Sequence, residues 1–185
     1  MMKIKKIHTP LTDDICQTLK IGDIVFLSGE VYTARDEAHR RLVEALLNGE
    51  HLPIELKGSI LFYAAPTPAR PGQAIGAIGP TTSYRMDRCT PKLIEKGLKG
   101  MIGKGKRSPV VIEAIKKFMA VYFGTLGGVA ALTARCIKEA SVVAYDDLGP
   151  EAIMKLTIED LPVVVLNDAM GRDLYEEAFI KRHQR

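Results

Sequence analysis

The chain has no tryptophan, and aromatic residues make up only 6% of its 185 positions. Base-stacking platforms are built from aromatic side chains, so a nucleic-acid surface of that kind is not expected. Cysteine is scarce as well: Cys16, Cys89 and Cys136 are odd in number and far apart. Without a C-x-x-C pair there is no zinc-knuckle or local dithiol signature, and reduced thiols of a cytoplasmic protein are the expectation. The four histidines are scattered, with no H-E-x-x-H among them. No run approaches the ~20 apolar residues of a membrane span. The N-terminal "MMKIKKIHTPL" lacks the apolar core of a signal peptide. Charge of one sign is not in excess either. Lys and Arg number 26 against 22 Asp and Glu, a net +4, and the two signs interleave in stretches such as "RDEAHRRLVE". That pattern belongs to a solvated helix face; only "KGKR" (104–107) and the terminal "KRHQR" are locally basic.

What remains is 46% hydrophobic and 26% charged, the balance of a soluble globular chain. The length suits one domain over residues 1–185. Strand and helix signals alternate, which indicates an α/β fold. "KIKKI" (3–7) reads as an edge strand and "DIVFLSG" (23–29) as a buried strand ended by Gly29. "DDICQTL" reads as one or two helical turns. In "TARDEAHRRLVEALLNG", Ala38, Leu42, Ala45 and Leu46 share one helical face, Thr33 and Asp36 resemble a capping pair, and Gly49 is a stop. Further strands are read in "SILFYAA" (59–65), "KGMIG" (99–103), "MAVYF" (119–123), "SVVAY" (141–145) and "PVVVLN" (162–167). Thr90-Pro91, Ser108-Pro109 and Gly149-Pro150 each look like a helix start, the last opening "PEAIMKL". "VAALTARCIK" and the C-terminal "RDLYEEAFIKR" are two more helices. The stretch 66–83 is rich in proline and glycine, and a loop of that length inside a folded domain is usually functional.

Three cationic turns stand out. "GKGK" is no phosphate loop: Gly103-Lys104 is followed by Gly105 rather than Ser or Thr, and Leu98 stands where the first glycine belongs. Lys104 is left as a cation on a glycine turn, pointing into a cleft or simply solvated. Arg35 sits between a strand and a helix start, where free N–H groups and a guanidinium fork suit a carboxylate. A surface pair with Asp36 or Glu37 is the plainer reading. "GPTTSYRMD" (79–87) gathers Thr81, Thr82, Ser83 and Arg85; Thr81 and Arg85 are four apart, so a helix would put them on one face. An N-cap explains one hydroxyl well and three less well. Together Arg35, Arg85 and Lys104 would bind a small dianion. The chain shows no metal-ligand set and no nucleophile–base pair, so the constellation resembles half of an active site.

At these residues the sequence resembles the β subunit of class I fumarate hydratase, of the iron–sulfur hydro-lyase family. The matching segments are "GDIVFLSGEVYTARDEAHRRL", "GPTTSYRMD", "GMIGKGKRS", "YFGTLGGVAAL" and "AYDDLGPEAIMKLTIEDLPVVVLND", in family order from about residue 20 to 170. The resemblance implies a swivelling β/β/α domain with a mixed sheet and flanking helices. It implies a hydro-lyase that hydrates fumarate reversibly to (S)-malate in the tricarboxylic acid cycle. It implies a [4Fe–4S] cluster held by a separate α subunit, so that Cys16, Cys89 and Cys136 bind no metal. An α2β2 assembly in the cytoplasm, with no nucleic acid and no membrane, follows from it too. Carried over residue by residue, it makes Thr81 the catalytic base and Arg35, Arg85, Lys104 and Thr82 substrate contacts, with Lys106 a rival for Lys104. The β subunits of L(+)-tartrate dehydratase are similar, but their loop typically differs after "GPTS", which favours fumarate. The remaining alternatives are another hydroxy-diacid hydro-lyase and a non-catalytic dicarboxylate-binding or assembly module.

Overall fold

Period-two alternation of apolar side chains sets the strands, and their pairing closes them into a ring. The computed structural model describes residues 3–69, 71–125 and 130–183. Strands β1 (Ile4–His8), β2 (Ile24–Thr33), β3 (Ile60–Phe62), β4 (Gly100–Gly103) and β5 (Val121–Thr125) run parallel, in spatial order along the sheet. The long β7 (Ile153–Asn167) lies antiparallel to β5 and also to β2, so β2, β3, β4, β5 and β7 join end to end. β6 (Ile137–Ala144) pairs antiparallel with the first half of β7, as β1 pairs with the first half of β2, and both lie outside the ring. The fold is mixed α/β, a sheet with flanking helices.

Alternation sorts the side chains into two cores. Val25, Leu27, Ile60, Phe62, Ile102, Val121, Phe123, Val163 and Val165 form one cluster and take the inward positions. Leu61, Tyr63, Met101, Tyr122 and Leu166 point the other way, onto helices α2 (Asp36–Leu47), α3 (Thr90–Glu95) and α4 (Pro109–Lys117). Both faces of β4 are therefore buried, as expected for a parallel strand covered by helices. The proline after each predicted start lies in the first turn of α3 and α4, where a missing N–H costs nothing. α2 stops ahead of Gly49, whose φ of 71° favours glycine. α1 (Asp13–Thr18) is capped by Thr12, α5 spans Ala130–Cys136, and α6 (Leu174–His183) has no buried residue.

Several expectations change. β2 does not end at Gly29. It continues to Thr33 through a bulge between Leu27 and Gly29, where a Cβ would lie 2.3 Å from Thr9 Oγ1. Thr33 and Asp36 do not cap α2; the N-cap is Arg35, without a side-chain bond, and Thr33 is buried. Ser108 makes no capping bond, and Thr90 is itself the first residue of α3. "PEAIMKL" forms no α-helix. Gly149-Pro150 lies in a 3-10 segment, Asp146–Glu151, and from Ile153 the chain is strand. Ladder pairing to β2 on one side and β6 on the other outweighs the local helix signal there. The "VAALTARCIK" helix gives way to β6 at Ile137, while Val129 and the preceding "LGG" lie outside the described residues.

Candidate active site

Parallel strands deliver their following loops to one edge, and the residues singled out above lie just past the C-terminal ends of β2, β3 and β4. That edge is the usual binding edge of parallel α/β sheets. After β3 the chain makes its proline- and glycine-rich excursion and returns. Thr67 N–H donates to Ala77 O (2.9 Å), and Ala64 forms a bridge with Pro80. Thr81 N–H then donates to Tyr63 O (2.7 Å), Thr82 pairs with Lys104, and Ser83 N–H donates to Lys104 O (2.9 Å). "GPTT" is thus a short extended segment added to the ends of β3 and β4. Lys104 is exposed, and Thr81 and Thr82 are half-buried.

Ser83 is a structural hydroxyl. It is fully buried, and its Oγ accepts from Lys104 N (3.1 Å) and lies 2.9 Å from the Tyr122 hydroxyl. Tyr122 Oη is also 3.0 Å from Gly105 O, which can only accept. The Tyr122 proton satisfies that carbonyl, leaving the Ser83 proton for Tyr122 oxygen. Gly103 makes room for this, since a Cβ there would sit 1.9 Å from Ser83 Oγ. Three hydroxyls in one turn therefore divide into one anchor and two threonines at the rim.

The turn Ser83–Met86 is a 3-10 helix, so Thr81 and Arg85 do not share an α-helical face. Arg85 points instead to the start of α2, with its Nη2 2.9 Å from Asp36 Oδ2. Arg35 does not pair with Asp36 or Glu37; its Nη1 lies 3.2 Å from Glu151 Oε1, in the 3-10 segment before β7. Glu37 is taken by Arg40 and Arg41, whose hydrogen bonds hold its carboxyl down to about 2. The structure places Arg35, Thr81, Thr82, Arg85 and Lys104 on neighbouring loops at one edge: Thr82 and Lys104 are joined by backbone pairing, and Arg85 reaches Asp36, the residue after Arg35. Lys106 is also exposed, two residues further along the turn.

Beneath the rim lies a layer the sequence did not disclose. Arg107 is buried to 5% of its surface and donates from Nε to Asp87 Oδ1 (2.8 Å) and from Nη2 to Thr90 Oγ1 (2.9 Å). Asp87 Oδ2 accepts from Ser108 N (2.6 Å), so one carboxylate ties the "YRMD" turn to the start of α4. The guanidinium carbon also sits 5.2 Å and 4.9 Å from the ring centroids of Tyr63 and Tyr122. In sequence Arg107 is merely the last letter of a basic run. The signal that could have separated it is the "RS" preceding Pro109, at a helix start where a side chain turns inward.

His39 is wholly buried on α2, edge-on to Tyr63 with ring centroids 5.0 Å apart. Its Nδ1 is 2.9 Å from Arg35 O, which makes Nδ1 the donor and leaves Nε2 the bare nitrogen. Burial first, and the nearby Arg107 charge, push its pKa down to about 4, so the ring is neutral. Among the described residues, the buried side-chain atoms without a partner are Arg35 Nε, Asp36 Oδ2 and His39 Nε2. Asp36 Oδ2 lies close to Arg85 but receives no aligned hydrogen bond. Buried polar groups are nearly always satisfied, so three orphans within five residues mark a place where a ligand or water completes the bonding.

The cysteines are elsewhere. Cys16 is buried on α1, with its thiol pushed up to about 12 by burial; Cys89 precedes α3, and Cys136 ends α5. Among the described residues no group of three His, Cys, Asp or Glu side chains could hold a metal ion. No described helix is long and apolar enough to cross a membrane.

Residues 2–178 match the family model described as "Fumarase C-terminus". The chain belongs to that family. A Methanocaldococcus jannaschii protein provisionally named L(+)-tartrate dehydratase subunit beta is 36% identical over 181 residues, covering 95% of this chain and 93% of the relative. The L(+)-tartrate dehydratase subunit beta of Escherichia coli is 33% identical over 94% of this chain and 87% of its own length. The aerobic class I fumarate hydratase of Escherichia coli is 40% identical over 82% of this chain but only 28% of its own length. The chain therefore spans nearly all of the relatives named as β subunits and under a third of the named fumarate hydratase. As a fumarase C-terminus chain, it carries its cationic rim on the β2, β3 and β4 loops.

Proposed function

We propose that this chain, as one domain over 1–185, is the β subunit of a [4Fe–4S]-dependent fumarate hydratase that interconverts fumarate and (S)-malate. The observation that carries the reading is that Arg35, Thr81, Arg85 and Lys104 sit on the loops after β2, β3 and β4, with Thr82 bridged to Lys104, Arg85 paired to the residue after Arg35, and buried unpartnered polar atoms at Arg35, Asp36 and His39. The names of the relatives supply the reaction class, and the names "subunit beta" supply the partner. In this reading the closed ring is the swivelling β/β/α domain, and the assembly is a cytoplasmic α2β2 hetero-oligomer. In this reading the [4Fe–4S] cluster is assigned to the α subunit, where an iron with an open position would act as a Lewis acid toward the substrate hydroxyl.

This chain's share of the chemistry follows from its cations. Removing a proton next to a carboxylate moves negative charge onto that carboxylate's oxygens. Arg35, Arg85 and Lys104 stabilise that charge because they are already oriented when it develops. Arg offers a planar fork to each carboxylate, and Lys a point charge. Thr82 contacts substrate, and Thr81 takes the proton. A hydroxyl is a weak base at neutral pH and must be activated; cations on the neighbouring loops would favour its ionised form.

The test is co-expression with the α subunit under anaerobic conditions, followed by assay on fumarate, (S)-malate and L(+)-tartrate. Turnover of fumarate and malate that requires both chains is expected. Turnover of tartrate alone moves the protein to the second reading, which the near full-length match to tartrate dehydratase β subunits favours. Turnover by this chain alone, free of cluster, overturns both.

A further inference from the structure

Arg35 is the rim cation least free to meet a ligand. Its side chain keeps 22% of its exposure, its Nη1 is held at 3.2 Å by Glu151 Oε1, and its Nε is buried with no acceptor. One oxygen on a five-donor fork is half of what a substrate carboxylate would supply. Glu151 comes from a different part of the chain, yet its placement is built. Thr33, at the end of β2, donates from Oγ1 to Ala152 O (3.2 Å) and accepts from Met154 N (2.9 Å). These two bonds clamp the chain just after Glu151 to the strand that leads into Arg35. Gly149, at φ 56° and ψ −122°, lets the preceding segment turn so that the acid faces that end of the ring. The turn itself is largely exposed, so the acid can swing away without disturbing either core.

We propose that Glu151 is an internal competitor that sets the affinity of the rim: a carboxylate that occupies Arg35 until a substrate carboxylate displaces it. The proposal rests on the reading of the rim as a dicarboxylate site. A monocarboxylate offers Arg35 only what Glu151 already provides, so it gains little by binding. A diacid that also reaches Arg85 and Lys104 recovers the loss at its second carboxylate. Glu151 thus raises the threshold for all carboxylates, and only those with two attachment points cross it. Asp36 holds Arg85 in a similar way, but from the first turn of α2, where the helix fixes it.

The experiment uses the anaerobically assembled complex with its α subunit. Succinate, which has no double bond to hydrate, and acetate serve as probes of the rim. Binding is read as competitive inhibition and independently as the shift in melting temperature of the complex. Glu151→Gln, which keeps the shape and removes the charge, should tighten both probes about twofold to fivefold, the range of a partly exposed ion pair. It should lower KM in step and leave kcat within about twofold. Glu151→Asp, one methylene shorter, should shift succinate the same way by less. In an Arg35→Ala background, Glu151→Gln should change succinate binding no further, because the competition has lost its object. Asp147→Asn, which removes an acid paired with Arg41 outside the rim, should leave the succinate constant unchanged and so rules out a general charge effect. Unchanged or weaker binding in Glu151→Gln overturns the proposal even if the complex hydrates fumarate. Tighter succinate binding in a complex that turns over no diacid keeps the proposal and rejects the enzymatic reading.

Discussion

Replacing His39 by asparagine should remove an acid-sensitive step from the stability of this chain. The imidazole is fully buried, with Arg35 O on Nδ1, the Tyr63 ring in a T-shaped contact, and Arg107 and Asp36 the charged groups that act on it. Its pKa lies at about 4 in the folded chain against 6.5 for a free side chain. The unfolded chain therefore takes up a proton that the folded chain refuses, over the window from about 6.5 down to about 4. Stability falls as the pH drops through that window, by up to about 1.4 kcal/mol per unit, and by about 3 kcal/mol in all. Above the window the residue is neutral in both states and contributes no slope; below it both states are protonated and the loss is complete. An asparagine amide can keep the bond to Arg35 O but does not titrate. The assay is urea unfolding followed by far-ultraviolet circular dichroism, at half-unit steps from pH 7 to pH 4, for both proteins. The wild type should lose more stability toward acid, and the difference between the curves should open between pH 6.5 and 4. Parallel curves across that window would refute the buried neutral ring.

Two other variants test the rim and the layer beneath it. Thr81→Ala in the assembled enzyme should lower kcat by about 100-fold or more with cluster absorbance unchanged, while Thr82→Ala should act mainly on KM; near-wild-type kcat in Thr81→Ala removes that residue from the proton transfer. Arg107→Met strands the buried Asp87 carboxylate and should cost about 3–5 kcal/mol in thermal or urea unfolding. Adding Asp87→Asn should restore part of it, and a double variant no more stable than the single one would show that the ion pair is not what holds the turn.

Much of the fold was legible because local patterns and burial agree. Apolar runs at Val25–Leu27, Ile60–Phe62 and Val121–Phe123 are buried strands, and Pro91 and Pro109 open helices. The ring closure was not legible. Pairing of β2 with β7 joins Tyr32 to Lys155 and Ile24 to Val164, and no local window contains both partners. The same distance effect hid the strand at Ile153–Ile158, where ladder bonds on two sides overrule a proline-led helix signal. At the site, the cations were legible as residue types on glycine- and threonine-rich turns. Their counter-ions were not, since Arg35 meets Glu151 and Arg85 meets Asp36 only through the fold. Ser83 and Arg107 look like surface residues in sequence and are buried because Gly103 and the two tyrosines leave a polar niche for them.

The β2–β7 seam also orders events in time. During synthesis, β2 through β5 emerge long before β7 exists, so the early strands wait as an open parallel set with one flank of β2 unpaired. Glu151, and the Ala152 and Met154 backbone groups that Thr33 binds, arrive with that last long strand, so Arg35 is the first rim cation made and the last to meet its counter-ion. A nascent chain halted before β7 would present bare strand edges to its neighbours, which makes the late segment a guard against misassembly as much as a wall of the ring.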